Sequence, residues 1–201
     1  KWQQTGQSWE KVERYLHIDQ SPTARNAEGW QYGLFGEDQD LMFTQFNALL
    51  NAVSPFKHLP YMDLPANLRT QMRQVLGSFF EYGFSKTSHK KIAKLFLIND
   101  SVASKFMPMQ GWWNYVMCMQ SYLESPYDFR ESLKACTTPI TLFTGMRSKM
   151  YPAQGQISMQ GMAQDVNVVR FYRSGHIPLL DEPLKFTREL GRFLNAKSPV
   201  F

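Results

Sequence analysis

The chain has 201 residues, 43% of them hydrophobic, and no apolar run approaches the roughly 20 residues of a membrane span. Its formal net charge is +5, but the positive residues are scattered singly or in pairs such as Lys90 and Lys91. No basic block or nucleic-acid-binding motif is present, which argues against nucleic acid as a partner. Cys118 and Cys136 have no zinc-type spacing and form no disulfide framework, so we expect free thiols in a soluble, cytoplasmic protein.

Helical periodicity dominates the segment from about residue 23 to residue 130. Apolar residues recur there at three- and four-residue spacing, the period of one face of an α-helix, and Ser88 can cap the start of the third run. Seven of the eleven methionines lie in this segment, where they either pack the helices together or line an apolar cavity. The recurring positions of the four runs are Leu41, Met42, Phe46, Leu49, Leu50 and Val53; Leu68, Met72, Val75, Leu76, Phe79 and Phe80; Ile92, Leu95, Phe96, Asn99, Val102 and Phe106; and Trp112, Trp113, Tyr115, Val116, Met119, Tyr122 and Leu123.

Two strand-like runs follow the helical segment. The run Thr-Pro-Ile-Thr-Leu-Phe-Thr-Gly at 138–145 is apolar, begins with a proline and ends with a glycine, which is typical of a buried strand. β-Branched and aromatic side chains form the second run, at 166–172. Between them, residues 153–165 have the pattern of a weakly amphipathic helix. A strand, a helix and a strand in this order predict a right-handed crossover into a parallel sheet.

His176 lies in a short loop after the second of these strands. Asp181 can cap a following helix, whose first turn tolerates Pro183. In parallel sheets covered by helices, ligands bind at the carboxyl ends of the strands, where such a loop lies. His176 is therefore a candidate site residue, although a capping or surface histidine fits the same loop equally well. The apolar face of the following helix comprises Leu184, Phe186, Leu190, Phe193 and Leu194.

Three blocks of the sequence together resemble an α/β-hydrolase. Pro-Ile-Thr-Leu-Phe-Thr-Gly at 139–145, then Tyr-Pro at 151–152 and Ser-Gly-His-Ile-Pro-Leu-Leu-Asp-Glu-Pro at 174–183, are similar to the last two strands and the histidine loop of that family. The third block, Val-Glu-Arg-Tyr-Leu-His-Ile-Asp-Gln-Ser-Pro at 12–22, followed by Asn26 and Gly-Trp-Gln-Tyr-Gly, resembles the sixth strand and the start of the cap. This block is similar to an esterase and cofactor-free haloperoxidase-like branch of the family.

The resemblance implies an α/β fold that comprises strands six to eight of the hydrolase sheet. Residues 1–22 and 131–201 would form the core, and residues 23–130 an inserted all-helical cap, or lid, over the active site. The family's nucleophile lies in a Gly-x-Ser-x-Gly turn on an earlier strand, and no such pattern occurs here. Residues 2–11 are similar to the end of the helix that follows that turn. We therefore expect the N-terminal part of the same fold to precede residue 1; the alternative is a natural short protein that has lost catalysis.

The resemblance identifies His176 as the base of a catalytic triad, which takes the proton of the nucleophile. The other histidines are weaker candidates. His17 lies inside the sixth strand, and His58 and His89 lie in loop or helix-start positions of the cap.

The triad acid is harder to identify than the base. The family places it three residues after the glycine that ends the seventh strand, and in this chain that position is Ser148. Serine cannot carry the charge that stabilises an imidazolium. Some branches take the acid from the end of the sixth strand, where Asp19 lies, and we predict Asp19 as the acid; a turn-capping role is the alternative. Asp165, before the eighth strand, and Asp181, better explained as a helix cap, are the remaining candidates.

The resemblance implies a serine hydrolase that cleaves a small apolar carboxylic ester through an acyl-enzyme, with no cofactor and no metal. Two alternatives remain open. One is a dehalogenase with an aspartate nucleophile upstream, and the other is a hydrolase-like receptor that binds a small apolar ligand with little turnover.

Overall fold

The structure, a computed structural model, describes residues 12–106 and 109–196. The helix end expected at residues 2–11 lies outside the described residues. Nowhere in the two described ranges does a helix combine the length and the apolar character needed to cross a membrane. In chain order the described α-helices are α1 (Gln39–Val53), α2 (Ala66–Gly83), α3 (Thr87–Phe96), α4 (Asp100–Phe106), α5 (Trp112–Glu124), α6 (Arg130–Lys134), α7 (Ala153–Ile157), α8 (Pro178–Asp181) and α9 (Pro183–Asn195).

Within the described residues three parallel strands form a sheet, with the second strand in the middle. The strands are β1 (Tyr15–Ile18), β2 (Ile140–Gly145) and β3 (Val166–Phe171), and they lie in the order β1-β2-β3. Their first residues are in register, since Tyr15 lies opposite Ile140 and Ile140 opposite Val166. All three carboxyl ends therefore meet at one edge of the sheet, and the predicted strands are confirmed.

Helices cover both faces of the sheet. On one face Phe143 and Phe171 pack against Phe186 of α9, and all three side chains are buried. On the other face Leu142 packs in a cluster with Met159, which follows α7. Burial on both faces explains why β2 is apolar along most of its length rather than alternating.

The helix expected at 153–165 is shorter than predicted. α7 ends at Ile157, and a 3-10 helix, Ser158–Gly161, continues from it. Gly155 and Gly161 lower the helical propensity of this segment, which explains the early end of α7. The apolar side chain of Met159 is still buried, as the amphipathic pattern predicts.

Helices α1 to α5, here called the helical segment, follow the predicted periodicity with two corrections. The run predicted as one helix from 92 to 106 is two helices, α3 and α4, because the Asn99 side chain caps a new helix by accepting a hydrogen bond from the Val102 amide (2.9 Å). In addition, α3 begins at Thr87, so Ser88 lies within the helix and does not precede it.

Most of the apolar side chains named in the first, second and fourth runs pack the helices together. Met42, Met72 and Met119 are all buried in one cluster with aromatic residues of α1 and α5. The indole Nε1 of Trp112 donates to the Leu59 carbonyl oxygen (2.9 Å), which joins α5 to the connection between α1 and α2. For these methionines the structure supports packing rather than cavity lining.

A cluster of charges around Asp100 joins α2 to α4. The Asp100 carboxylate accepts hydrogen bonds from the Tyr61 hydroxyl and from Arg69 Nε, each at 2.8 Å, and it also pairs with Arg73. Burial acts to raise the pKa of Asp100, but the bonds from Tyr61 and Arg69 and the positive charges of both arginines lower it by more, so the pKa lies below its usual range.

We expect Asp100→Asn to lower the free energy of unfolding by about 2 kcal/mol at pH 7. A lowered folded pKa stabilises the fold above the ordinary aspartate pKa of about 3.9, and this contribution is lost as the pH falls through the folded value. The difference from wild type should therefore shrink below about pH 4. Urea unfolding at pH 7 and pH 3 measures it, with the exposed Asp63→Asn as control. Equal losses for both variants would contradict the prediction.

Candidate active site

The carboxyl ends of the three strands bring two predicted site residues together. Asp19 follows β1, and His176 lies in the loop after β3. The Asp19 amide donates to the Phe143 carbonyl oxygen (2.8 Å), and Asp19 then takes a positive φ of 43°, which turns the chain away from the sheet. Aspartate tolerates this left-handed conformation better than most residues do.

A hydrogen bond joins the two side chains, since Asp19 Oδ2 lies 2.9 Å from His176 Nδ1. The Asp19 side chain is 0% exposed, whereas the His176 side chain is 30% exposed. A carboxylate at Nδ1 favours the tautomer with the proton on Nδ1 and leaves Nε2 free to accept one. The arrangement can therefore support general-base chemistry at a partly exposed nitrogen.

The Asp19 carboxylate has three further partners. Oδ1 accepts from the Gly145 amide (2.7 Å) and from Gln156 Nε2 (3.0 Å), and Oδ2 also accepts from the Ser148 hydroxyl (2.6 Å). With His176 these donors occupy about four acceptor positions, the full capacity of an ionised carboxylate. Gln156 is itself buried and donates to the Tyr151 carbonyl oxygen (2.9 Å). Four hydrogen bonds therefore fix the position of the Asp19 carboxylate.

Sequence reasoning missed the roles of Ser148 and Gln156. The sequence identifies Ser148 only as the residue at the position where the family's acid is expected, yet its hydroxyl donates to the Asp19 carboxylate. Its position three residues after Gly145, at the same edge as Asp19, could have indicated this contact. No comparable signal marked Gln156, which lies in a glutamine-rich segment with several equivalent candidates.

Gly145 permits the close approach of the histidine loop to β2. A Cβ atom at this position would overlap the Gly175 carbonyl oxygen and would lie 2.9 Å from Asp19 Oδ1. The Arg147 amide donates to the Ser174 carbonyl oxygen (2.9 Å), which fastens the loop beside the end of β2. The distance between Asp19 and His176 therefore depends on a glycine at 145.

Neither of the other two candidate acids is bonded to His176. Asp165 lies just before β3, and its carbonyl oxygen accepts from the Ile140 amide (2.9 Å), which places it at the opposite edge of the sheet. The Asp181 carboxylate accepts from the Gly175 amide (2.8 Å) and the Ser85 hydroxyl (2.7 Å).

The predicted helix-capping role of Asp181 is wrong. Asp181 is the last residue of α8, the N-cap position of α9 is Glu182, and that cap has no side-chain hydrogen bond. The Asp181 carboxylate instead accepts from the Gly175 amide of the histidine loop and from Ser85.

The other three histidines have different surroundings. His17 belongs to β1, where burial lowers its pKa despite the opposing charge of Asp19. His58 is exposed, and His89 lies in α3. Among the residues that the structure describes, no group of three or more histidine, cysteine or acidic side chains could hold a metal ion. Cys118 is exposed and Cys136 buried, and both are free thiols.

Several solved structures are similar to this chain. An esterase from Exiguobacterium antarcticum has a TM-score of 0.63 and 18% identity, and the match covers 96% of this chain and 60% of the esterase. A hydrolase from Oleispira antarctica has a TM-score of 0.57 and 14% identity, and the match covers 94% of this chain and 59% of the hydrolase. A thermophilic esterase from Thermogutta terrifontis, with malate bound, has a TM-score of 0.52 and 14% identity, and the match covers 90% of this chain and 55% of the esterase.

No family model and no curated protein matches the chain in sequence. The chain spans 55–60% of the length of these three solved structures. At this level of identity the similarity concerns the fold, and the fold predicted from the sequence is confirmed: the chain has the α/β-hydrolase fold.

Proposed function

We propose that the protein is a hydrolase in which His176 is the catalytic base and Asp19 the triad acid. The observation that carries this proposal is the 2.9 Å contact between His176 Nδ1 and a fully buried carboxylate at the carboxyl edge of a parallel sheet. The partial exposure of the His176 side chain supports it, because the base must reach a substrate. Two of the solved structures with this fold are esterases, which favours an ester as the bond cleaved.

The nucleophile in this proposal is a serine of the complete protein, in residues that precede Lys1. His176 Nε2 takes the serine proton as the serine oxygen attacks the ester carbonyl carbon, and backbone amides stabilise the resulting oxyanion. The imidazolium then gives its proton to the leaving alcohol. Water, deprotonated by the same nitrogen, attacks the acyl-enzyme, and the imidazolium returns this proton to the serine oxygen as the bond to the acyl carbon breaks and the acid is released. Asp19 holds the histidine tautomer and stabilises the imidazolium in both halves of the reaction.

We further propose that residues 23–130 form a cap on a core made of residues 1–22 and 131–201. The two ends of the segment lie side by side, since Thr23 and Asp128 form an antiparallel bridge and the Ala24 amide donates to the Tyr127 carbonyl oxygen (3.0 Å). A segment whose ends meet is attached as a unit and can be inserted without disturbing the sheet.

The cap would roof the active site and favour an apolar substrate. The end of α2 touches the histidine loop, where the His176 amide donates to the Gly83 carbonyl oxygen (3.1 Å). The Phe35 amide donates to the Met150 carbonyl oxygen (2.6 Å), so the apolar core of the helical segment continues to the loop after β2. A small apolar ester bound beside His176 would lie next to this core.

A serine-directed probe tests the proposal. We expect a fluorophosphonate to label one serine of the complete protein, upstream of Lys1, and we expect the same protein to hydrolyse p-nitrophenyl butyrate. Mass spectrometry locates the label, and prior reaction with a non-fluorescent fluorophosphonate is the control. Halide release from a haloalkane without labelling would instead indicate a dehalogenase. Ligand binding with neither reaction would indicate a receptor.

A further inference from the structure

Asp181 supplies a second buried carboxylate beside the histidine loop, separate from Asp19. Its side chain is 1% exposed. Oδ2 accepts two hydrogen bonds, one from the Gly175 amide (2.8 Å) and one from the Ser85 hydroxyl (2.7 Å). Gly175 immediately precedes His176, so this single oxygen bonds both to the loop that carries the candidate base and to the helical segment.

Two more residues of the helical segment approach Asp181. Lys86 Nζ donates to the Asp181 carbonyl oxygen (2.6 Å). His89 Nδ1 lies 3.2 Å from Asp181 Oδ1, although the two atoms are not aligned as a hydrogen bond. With Ser85, these residues place the start of α3 around the carboxylate.

The helical segment also packs closely against the backbone of the histidine loop at Gly175. A Cβ atom on Gly175 would lie 2.9 Å from the Ser85 amide nitrogen and 3.1 Å from the Gly83 carbonyl oxygen. The Gly83 oxygen also accepts the His176 amide (3.1 Å). Gly175 is therefore bonded to Asp181 through its amide nitrogen and packs against the helical segment at its Cα.

We propose that Asp181 is a positioning residue that fixes the backbone before His176 against the helical segment and thereby couples the cap to the catalytic base. This inference rests on the proposed function. Asp181 touches no reacting atom and acts through Gly175. A small displacement of a catalytic group costs a large factor in rate, so loss of this contact lowers turnover although the base itself is intact.

The role depends on an acceptor oxygen and does not depend on the negative charge. In Asp181→Asn an amide oxygen can occupy the place of Oδ2 and keep both hydrogen bonds, whereas Asp181→Ala leaves the Gly175 amide buried without a partner. A triad acid would behave differently, because an amide cannot stabilise an imidazolium. Rescue by asparagine therefore separates positioning from acid chemistry.

The test compares Asp181→Ala, Asp181→Asn and Ser85→Ala in the complete protein, with Asp165→Ala, an exposed aspartate at the opposite edge of the sheet, as matched control. For Asp181→Ala we expect kcat for p-nitrophenyl butyrate to fall about 10²-fold with little change in KM. The Gly175 amide should exchange with solvent at least about fivefold faster. Asp181→Asn should keep both values close to wild type, and Ser85→Ala should lower kcat by less.

Wild-type kcat and wild-type Gly175 exchange in Asp181→Ala would overturn the inference, and so would an Asp181→Asn variant as slow as the alanine variant. If Asp181→Ala does not fold, Ser85→Ala decides the coupling, because unchanged kcat in that variant would mean that the bond between Asp181 and the helical segment does not position the base. Failure of the proposed function is distinguishable: a wild-type protein without esterase activity removes that function, whereas the exchange rate of Gly175 reports the loop contact without any turnover.

Discussion

We expect His176→Ala to lower ester turnover of the complete protein by about 10³-fold or more. The alanine variant has no group that can take the proton from the nucleophile or return one to the leaving alcohol. Because both halves of the proposed reaction pass through Nε2, acylation and deacylation both slow, and a burst of product followed by normal steady-state turnover is not expected. Initial rates with p-nitrophenyl butyrate at pH 8, for the variant and the wild type, measure the effect.

The loss should be chemical rather than structural. The His176 side chain is 30% exposed, and without it the Asp19 carboxylate still accepts from Gly145, Gln156 and Ser148. We therefore expect an unfolding midpoint close to that of the wild type. His58→Ala, which removes an exposed histidine of the helical segment, is the matched control and should retain full activity. Near-normal turnover in His176→Ala would remove the proposed function.

Short-range patterns predicted β2, β3 and the histidine loop, whereas β1 was predicted from the resemblance to α/β-hydrolases. β2 is bounded by Pro139 and Gly145, and β3 by a change from strand to helix periodicity, so both could be found from neighbouring residues alone. Parallel strands end at one edge, which is why Asp19 and His176 could be expected to meet although 157 positions separate them. Their catalytic roles stay predictions, because proximity does not measure chemistry.

The contacts of Asp181 and Gln156 with distant polar groups could not be predicted. Asp181 has the sequence context of a helix cap, and only the packing of α8 against the start of α3 turns its carboxylate towards Gly175 and Ser85. Gln156 donates to an aspartate 137 positions away, and no periodicity marks it. A buried polar group takes whatever partner the tertiary structure supplies, so its role depends on the assembled fold rather than on local propensity.

Asp19→Asn should lower turnover by about 10³- to 10⁴-fold. In the wild type four donors surround an acceptor-only carboxylate, from Gly145, Gln156, Ser148 and His176. The Gly145 amide and Gln156 Nε2 can only donate, so the asparagine oxygen stays at the Oδ1 position and its NH₂ group takes the Oδ2 position. There the Ser148 hydroxyl and His176 Nδ1 must become acceptors. His176 Nδ1 then accepts a hydrogen bond, its proton moves to Nε2, and the nitrogen that should act as base is blocked. Loss of the negative charge also removes the stabilisation of the imidazolium.

Ser148→Ala is the matched comparison for Asp19→Asn, because it removes one donor to the same oxygen and keeps the charge. Turnover in that variant should fall by only about tenfold, the effect of one hydrogen bond to a charged group. Rates with p-nitrophenyl butyrate and urea midpoints for both variants separate catalysis from folding. If Asp165→Asn slowed the reaction and Asp19→Asn did not, the acid would be assigned to the wrong strand. If Asp19→Asn and Ser148→Ala slowed it equally, the site would need the hydrogen-bond network but not the charge of Asp19, which a triad acid must supply.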